Sequence, residues 1–478
     1  MTSNRRNRLT VPTHSPPTPR VRQWPKSGIV SLFAAVLATH LPLWMLQRYA
    51  AMPLPLLHWD LMLALLVFTV NRRAGMLCVV LAWALAVLRG VALNYHFHDL
   101  AEYLDSARFV DLLSLGAYLT AGSLLGVAVL LVVVACLLRL LSGLRFAMGQ
   151  MLLLMLACAL LDWVNGSATA IGLGRDRALV PVNVMGSAGY NLVRSEMVFM
   201  TLGSQPLQPI DPLPNSYAEL RSIAARGDVT GMAILVESLG LPVDPAVRDW
   251  LLAQFDAPGL RDRWTVEFAE EDFRGSTIAG ELRVLCGRGG HYSRLTRDTA
   301  QDCLPRLFDR AGPSTLAIHG FSPRMFDRSA WWPVAGFDEV VFGDALAAKG
   351  ARSCQGAFEA VCDQDLLAEA FARAADSRNR FVYALTIGTH LPLPADHALR
   401  RDVAALCGAR RVDDSACALI DMTGNLMRSM AQGVAQSSGP SLIVIVGDHS
   451  PPFIRSSSRH AFSQQRVPLV LVRRKPSM

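Results

Sequence analysis

The sequence predicts an α/β protein anchored in a membrane: a bundle of five transmembrane helices, then a sheet-and-helix domain outside the cytoplasm. Three observations carry this. Of 478 residues, 51% are hydrophobic and only 18% charged, and the mean hydropathy is positive, which is too apolar for an ordinary soluble chain of this length. The excess lies before about Gly166, in long apolar blocks. The remainder has a mixed composition and is large enough to bury its own core. It alternates short apolar runs with helical patterns, as layered α/β sheets do.

Taken in order, residues 1–27 are rich in Pro, Arg and Thr without a hydrophobic period, and read as a disordered basic cytoplasmic tail. Residues 28–165 form the membrane domain. Five blocks reach or approach the ~20 apolar residues that cross a hydrocarbon core: Gly28 to Gln47, Leu54 to Val70, Gly75 to Leu93, Ala117 to Leu138 and Phe146 to Trp163. A cleavable signal peptide fits the first block poorly, because further spans follow it and a small-residue cleavage site does not. Arg5, Arg6, Arg8, Arg20, Arg22 and Lys26 precede the first span, Arg72 and Arg73 separate the second from the third, and Arg139 and Arg145 the fourth from the fifth, so those segments are cytoplasmic. The loop carrying Asp99, Glu102, Asp105 and Asp111 against Arg108 then falls outside, and an odd number of spans delivers the rest of the chain there as well. Much of the net charge of +7 is accounted for by this orientation, which argues against a nucleic-acid partner. Within the spans, His40 and Asp60 are ionisable and so are candidates for a headgroup path. A solvated end position near the outer interface explains Asp60 as well, and neither is assigned to the site.

Residues 166–228 read as a linker with connecting helices, and 229–478 as the outer domain proper. Of nine cysteines, Cys78, Cys136 and Cys158 lie in spans. Cys286, Cys303, Cys354, Cys362, Cys407 and Cys417 form an even set in an oxidising compartment, where disulfides are expected. Six cysteines allow fifteen pairings. Pairing sequence neighbours, 286 with 303, 354 with 362 and 407 with 417, closes three short loops worth ~2–4 kcal/mol each. A zinc–thiolate cluster is disfavoured by the lack of any C-x-x-C pair.

In the outer domain, Met232 to Val236, Thr315 to Ile318, Phe381 to Ile387, Ser441 to Val446 and Pro468 to Val472 are expected as buried strands of a largely parallel sheet. Helices such as Asp365 to Ala375 and Ala416 to Gly433 lie between them. Chemistry in such sheets gathers at the carboxyl edge. ILVESLG places Glu237 there, as a metal ligand or, as readily, as a helix cap with Ser238. IVIVGDHS places Asp448 and His449 there, offering oxygen and imidazole to a divalent cation; the plainer alternative is a turn Asp beside a surface His. GSTIAGELR sets Thr277 ahead of a helical pattern, where backbone N–H groups and the helix dipole would hold an anion beside the hydroxyl. Alone, that string would be a Ser/Thr cap.

In this order on one sheet, the three strings resemble the alkaline phosphatase/sulfatase superfamily, and in particular its membrane-anchored branch of lipoteichoic acid synthases and phosphoethanolamine transferases. The resemblance covers nearly the whole chain, the five-span anchor included. It implies an alkaline phosphatase-like catalytic domain at 229–478, a nucleophile at Thr277, and Glu237, Thr277, Asp448 and His449 around one divalent metal, zinc or manganese. AIHGFSPRMFDRSAWWPVAGFDEV is similar to the HG…F-x-N-R…GFD stretch of the phosphoglycerol-transferring members, and TIGTHLPLP to their T-x-x-x-H-x-P. These imply phosphate-binding roles for Arg328 and His390, with Phe326 and Asp327 standing where that branch often has Trp and Asn. His319 in the first string is a further candidate. So is His460, before the VPLVLV run, which would serve a second metal or contact substrate, a plain surface histidine being the alternative. The nucleophile segment lacks the C-G-T-x-T string of lipid A phosphoethanolamine transferases, which disfavours a lipid A acceptor. CLPRL at Cys303 misses the C/S-x-P-x-R signal by one place, which argues against a true sulfatase.

The implied activity is a two-step transfer at a bacterial inner membrane, with the catalytic domain periplasmic. Thr277 displaces diacylglycerol from a membrane phospholipid, carries the phosphoglycerol or phosphoethanolamine headgroup as a phospho-threonine ester, and yields it to a hydroxyl of an envelope glycan or lipid. A threonine hydroxyl is a poor nucleophile at neutral pH until coordination to a divalent cation lowers its pKa. Arg328 and His390 would clamp the transition-state charge, or His390 would protonate the leaving group. Two alternatives stay open: a hydrolase that passes the headgroup to water, and a non-catalytic envelope-binding protein.

Overall fold

The computed structural model describes residues 28–50, 52, 54–97, 103, 106–114, 116, 121–164, 185–193, 207–226, 230–257, 259–273, 275–309, 315–376, 381–394 and 396–476. The expectations for the tail and for much of the 166–228 linker lie outside the described residues.

Each apolar block forms a helix: α1 (Gly28–Ala50), α2 (Trp59–Val70), α3 (Arg72–Asn94), α4 (Ala121–Gly143) and α5 (Met148–Val164). Among the described residues, α1, α3 and α4 are long and apolar enough to cross a membrane; α2, with 12 residues, and α5, with 17, are shorter. Where five spans were expected, three helices among the described residues therefore have spanning length. The block at Leu54 contains Pro55, which cannot donate to a helix interior, and α2 begins four residues after it. Asn71 caps α3, its Oδ1 accepting from Arg73 and Ala74 N–H, so α2 and α3 turn back within one residue. Arg72 donates to the carbonyls of Ser142 and Leu144, which brings the α2–α3 and α4–α5 turns together at one end of the bundle. Leu61, Leu65, Val79, Trp83 and Met151 are buried between helices, while Leu124, Leu125, Leu131 and Val132 of α4 face outward. At the other end Asp60 accepts from Ser187 Oγ and Ala188 N–H, both at 2.7 Å. It anchors residues 185–193 and is not a solvated end group. His40 is equally structural, accepting the His58 N–H through Nε2.

The α/β domain is built on a seven-stranded sheet: β1 (Gly231–Val236), β2 (Trp264–Asp272), β3 (Thr315–His319), β4 (Glu339–Val341), β5 (Phe381–Leu385), β6 (Leu442–Gly447) and β7 (Arg466–Arg474), in the order β2–β7–β6–β1–β5–β3–β4. Neighbours from β6 to β4 are parallel, as expected. At the other edge β7 runs antiparallel to β6 and β2 antiparallel to β7, so the sheet is mixed. One face is covered by α6 (Asn215–Ala224), α7 (Thr277–Cys286) and α8 (Arg328–Ala335), which contribute Tyr217, Leu282 and Trp332. The other is covered by α9 (Asp363–Ala375) and α10 (Asp414–Gln436), with Leu366, Phe371, Met427 and Met430. The core also takes in Leu207 and Leu220, upstream of the boundary expected at 229. The three disulfides are Cys286–Cys303, Cys354–Cys362 and Cys407–Cys417, the pairing of sequence neighbours.

Candidate active site and metal centre

Parallel pairing of β1 with β6 sets Gly447 opposite Val236, so the residues that follow, Asp448 and Glu237, leave the sheet side by side. Ser238 takes a left-handed conformation (φ 51°) immediately after Glu237. Its N–H donates to Asp448 Oδ1 at 2.8 Å and its hydroxyl to Glu237 Oε1 at 2.9 Å. Strain at a non-glycine residue of this kind persists where surrounding bonds over-determine it, and here they fix both carboxylates.

Thr277 is the first residue of α7, and its Oγ1 donates to Glu237 Oε2 at 3.0 Å and lies 3.3 Å from His449 Nε2. The simple-cap readings are therefore not what these residues do: Ser276 makes no side-chain cap bond, and its buried hydroxyl has no partner. His449 Nδ1 is 2.9 Å from the Ser450 carbonyl. A carbonyl only accepts, so the proton sits on Nδ1 and Nε2 presents its lone pair. That atom is 3.3 Å from Asp448 Oδ2 and 3.7 Å from Glu237 Oε1. Gly280, one turn along α7, permits this approach: a Cβ there would stand 3.1 Å from Asp448 Cβ.

The cluster is wholly buried, and its electrostatics ask for a cation. Burial pushes the Glu237 carboxyl up, but His390, His449 and the hydroxyls of Ser238 and Thr277 outweigh that and hold it below its ordinary value. Asp448 moves well upward, through burial first and then the adjoining Glu237 charge. His449 is lowered by burial against the pull of Glu237. Asp448 Oδ2 is buried with no hydrogen-bond partner. Glu237, Asp448 and His449 offer ligand atoms within 4.8 Å of one another. Two carboxylates, an imidazole and a hydroxyl fit a divalent ion of the zinc or manganese type.

The other expected residues divide. His390 is close enough to Glu237 for their charges to interact; burial lowers it, and its Nδ1 meets the Leu391 carbonyl at 2.7 Å. Arg328 is buried in the wall behind α7, with Nε and Nη2 on Glu281 Oε1 at 2.9 and 2.7 Å and Nη1 on the Met325 carbonyl. His319 ends β3 with Nδ1 on the Leu385 carbonyl, its Nε2 buried without a partner, and a pKa lowered to about 3 by burial and by Arg328. His460 does not join the cluster. It follows a one-turn helix, is exposed, and turns Nδ1 back onto Ser456.

Several supporting residues were not visible in the sequence. Arg283 donates to the Gly447 carbonyl at 2.7 Å and the Asp448 carbonyl at 3.2 Å, and pairs with buried Glu271, holding the metal-loop backbone from α7. The threonines of TIGTH grip the Glu237 backbone: Thr386 Oγ1 accepts its N–H, and Thr389 Oγ1 donates to its carbonyl. Asp363 accepts from the N–H groups of Ile387 and Gly388 behind that segment. From the membrane domain, the end of α3 reaches the loop after β6. Asn94 donates to the Pro452 carbonyl at 2.8 Å and accepts from Arg459, and His96 Nε2 donates to the Ser450 carbonyl at 2.8 Å with its ring 5.2 Å from that of His449. The repeated T of TIGTH was the one local signal; the others join the site through contacts distant in sequence.

Residues 274–475 match the family model described as Sulfatase, a span that holds Thr277, Asp448 and His449 and begins after Glu237. The chain thus carries a sulfatase-family domain. No curated protein sequence matches it. Among solved structures, a lipoteichoic acid synthase, LtaP, from Listeria monocytogenes is similar at 14% identity over 59% of this chain and 72% of that one, with a TM-score of 0.38. The Streptococcus pyogenes phosphoglycerol transferase GacH, in complex with sn-glycerol-1-phosphate, is similar at 15% identity over 56% and 77%, with a TM-score of 0.39. The C-terminal periplasmic domain of EptC from Escherichia coli is similar at 13% identity over 52% and 73%, with a TM-score of 0.31. TM-scores this low do not bear on substrate.

Proposed function

We propose that the chain is a metal-dependent phosphotransferase of a bacterial inner membrane. It moves a phosphoglycerol or phosphoethanolamine headgroup from a membrane phospholipid to an envelope glycan or lipid through an ester on Thr277. One observation carries the reading: the Thr277 hydroxyl, at a helix N-terminus without a side-chain cap, lies within hydrogen-bond reach of both a buried carboxylate and an unprotonated imidazole nitrogen.

Glu237, Asp448 and His449, with Thr277, would hold one zinc or manganese ion. Bound there, it supplies a lowered hydroxyl pKa and neutralises phosphate charge. The chain's own residues do the rest. Glu237 accepts the Thr277 proton, and the first-turn N–H groups of α7 receive the phosphate oxygens. His390, beside Glu237, holds its Nδ1 proton on the Leu391 carbonyl, and its other ring nitrogen would take the threonine proton over from Glu237 and pass it to the departing glyceride oxygen. Arg328 gives positive potential from one turn behind the nucleophile. Release reverses the geometry, with an acceptor hydroxyl in place of the glyceride. Periplasmic placement of the domain is supported by the arginine-rich turns: Arg72 lies at the end of α3 opposite Asn94, and Asn94 is the end that touches the catalytic loop.

The test is mass spectrometry of the Thr277 peptide after incubating the full chain with bacterial phospholipids. The added mass should be that of the headgroup phosphate and should vanish in Thr277→Ala. Turnover with Thr277 unmodified at every time point would refute the covalent route.

A further inference from the structure

Where α1 meets the catalytic domain, a groove of about 700 Å³ is lined by Trp44, Met45, Arg48 and Tyr49 from α1 and by Arg455, Ser456 and Ser457 from the loop after β6. Its lining carries two guanidinium groups and no carboxylate. Arg48 is exposed and has no ion pair among the described residues. Arg455 is also exposed; it lines the groove with Tyr49 and stands 3.8 Å from Asp413, which is itself taken up by Ser457, Ser458 and the Ser415 N–H. Trp44 and Tyr49 are the residue types that settle at a membrane–water interface. Below them Phe33, Leu37, Leu41 and Met45 form an exposed apolar row at four-residue spacing along α1, leading into the groove. Cations at the top, aromatics at the boundary and an apolar track beneath are complementary to one class of ligand.

We propose that this groove binds an anionic glycerophospholipid of the adjoining leaflet, with its phosphate between Arg48 and Arg455 and its acyl chains along α1. The site deepens the proposed transfer, on which it rests for its purpose: the loop that supplies Arg455 is the one that opens with Asp448 and His449, so a lipid seated here stands at the membrane end of the metal loop. Occupancy itself requires no turnover.

The experiment uses the full chain, purified in detergent, exchanged into phosphatidylcholine nanodiscs doped with phosphatidylglycerol, and read by native mass spectrometry for retained lipid. A surface cation contributes roughly fivefold to binding of an anionic headgroup, so Arg48→Ala with Arg455→Ala should cut retained phosphatidylglycerol by about twenty-five-fold, with partial rescue by lysine at both positions. Retention should also fall as salt rises. Intact disulfides and undiminished metal binding in the double variant show that it has folded. Equal retention by wild type and variant, or equal retention of phosphatidylcholine and phosphatidylglycerol by wild type, overturns the proposal. Thr277→Ala separates the two readings: it abolishes transfer, yet should retain the lipid as wild type does.

Discussion

Glu281 lies one helical turn after Thr277, wholly buried, and accepts from Arg328 Nε and Nη2 on one oxygen and from Trp332 Nε1, at 3.0 Å, on the other. Burial pushes its carboxyl up against the pull of Arg328. Glu281→Ala strands a buried guanidinium, a change that costs ~3–5 kcal/mol, or a melting temperature lower by roughly 6–20 °C for a domain of this size. Replacing both partners by apolar groups, Glu281→Leu with Arg328→Met, removes the stranded charge and should recover most of that loss. A residue of ~1–3 kcal/mol remains for the unpaired Trp332 N–H. Thermal melts of the two variants measure the stability part, and headgroup transfer measures the other. If Arg328 stabilises the phosphate in the transition state, the double variant stays about 10²-fold slow despite its recovered stability. A double variant no more stable than Glu281→Ala would refute the closed, desolvated pair. One that regains activity together with stability would make Arg328 purely structural.

Two further outcomes follow from the surroundings of the metal ligands. Asn94→Ala and His96→Ala free the loop that carries His449, and each should weaken metal affinity by ~10–100-fold in chelator competition; unchanged affinity in a folded variant would show that the α3 contact is incidental. Asp363 is raised to about 6 by burial, against the hydrogen bonds of Ile387 and Gly388. The folded state therefore binds its proton more tightly than the unfolded chain does, so this group's stabilisation is complete below about pH 4 and is lost as pH rises through 6. Denaturant unfolding of the metal-free protein between pH 4 and 7 should show that slope, of order 1–3 kcal/mol in all, and Asp363→Asn should remove it.

Much of the site was legible because its acidic ligands each follow an unbroken apolar run. β1 and β6 are buried along their whole length, so Glu237 and Asp448 stand out as polar residues where a strand stops. β2 was missed for the opposite reason. It is an edge strand bearing Glu267, Glu270, Glu271 and Asp272, and charge on an exposed edge hides the apolar pattern that marks a central strand. The sheet is mixed because β7, the strand that β2 flanks, runs antiparallel to β6. Arg328 was legible as a basic residue in a suggestive string, but not as the partner of Glu281, which lies 47 residues earlier and has no local feature to mark it. Asn94 and His96 are a stronger case. Nothing near the end of an apolar helix announces a contact with a loop some 350 residues away, because that contact exists only once the two domains have packed. His460 shows the reverse: a histidine close in sequence to the metal loop whose helix turns it outward to solvent.

The account stands on a divalent metal held by Glu237, Asp448 and His449 beside Thr277, and elemental analysis of the purified full chain after loading with zinc or manganese tests this directly. The expected result is about one equivalent in the wild type and in Thr277→Ala, which keeps the charged ligands, and a large loss in Glu237→Ala and Asp448→Ala with the disulfides intact. A wild-type protein that takes up neither metal, or an Asp448→Ala variant that keeps a full equivalent, would contradict it.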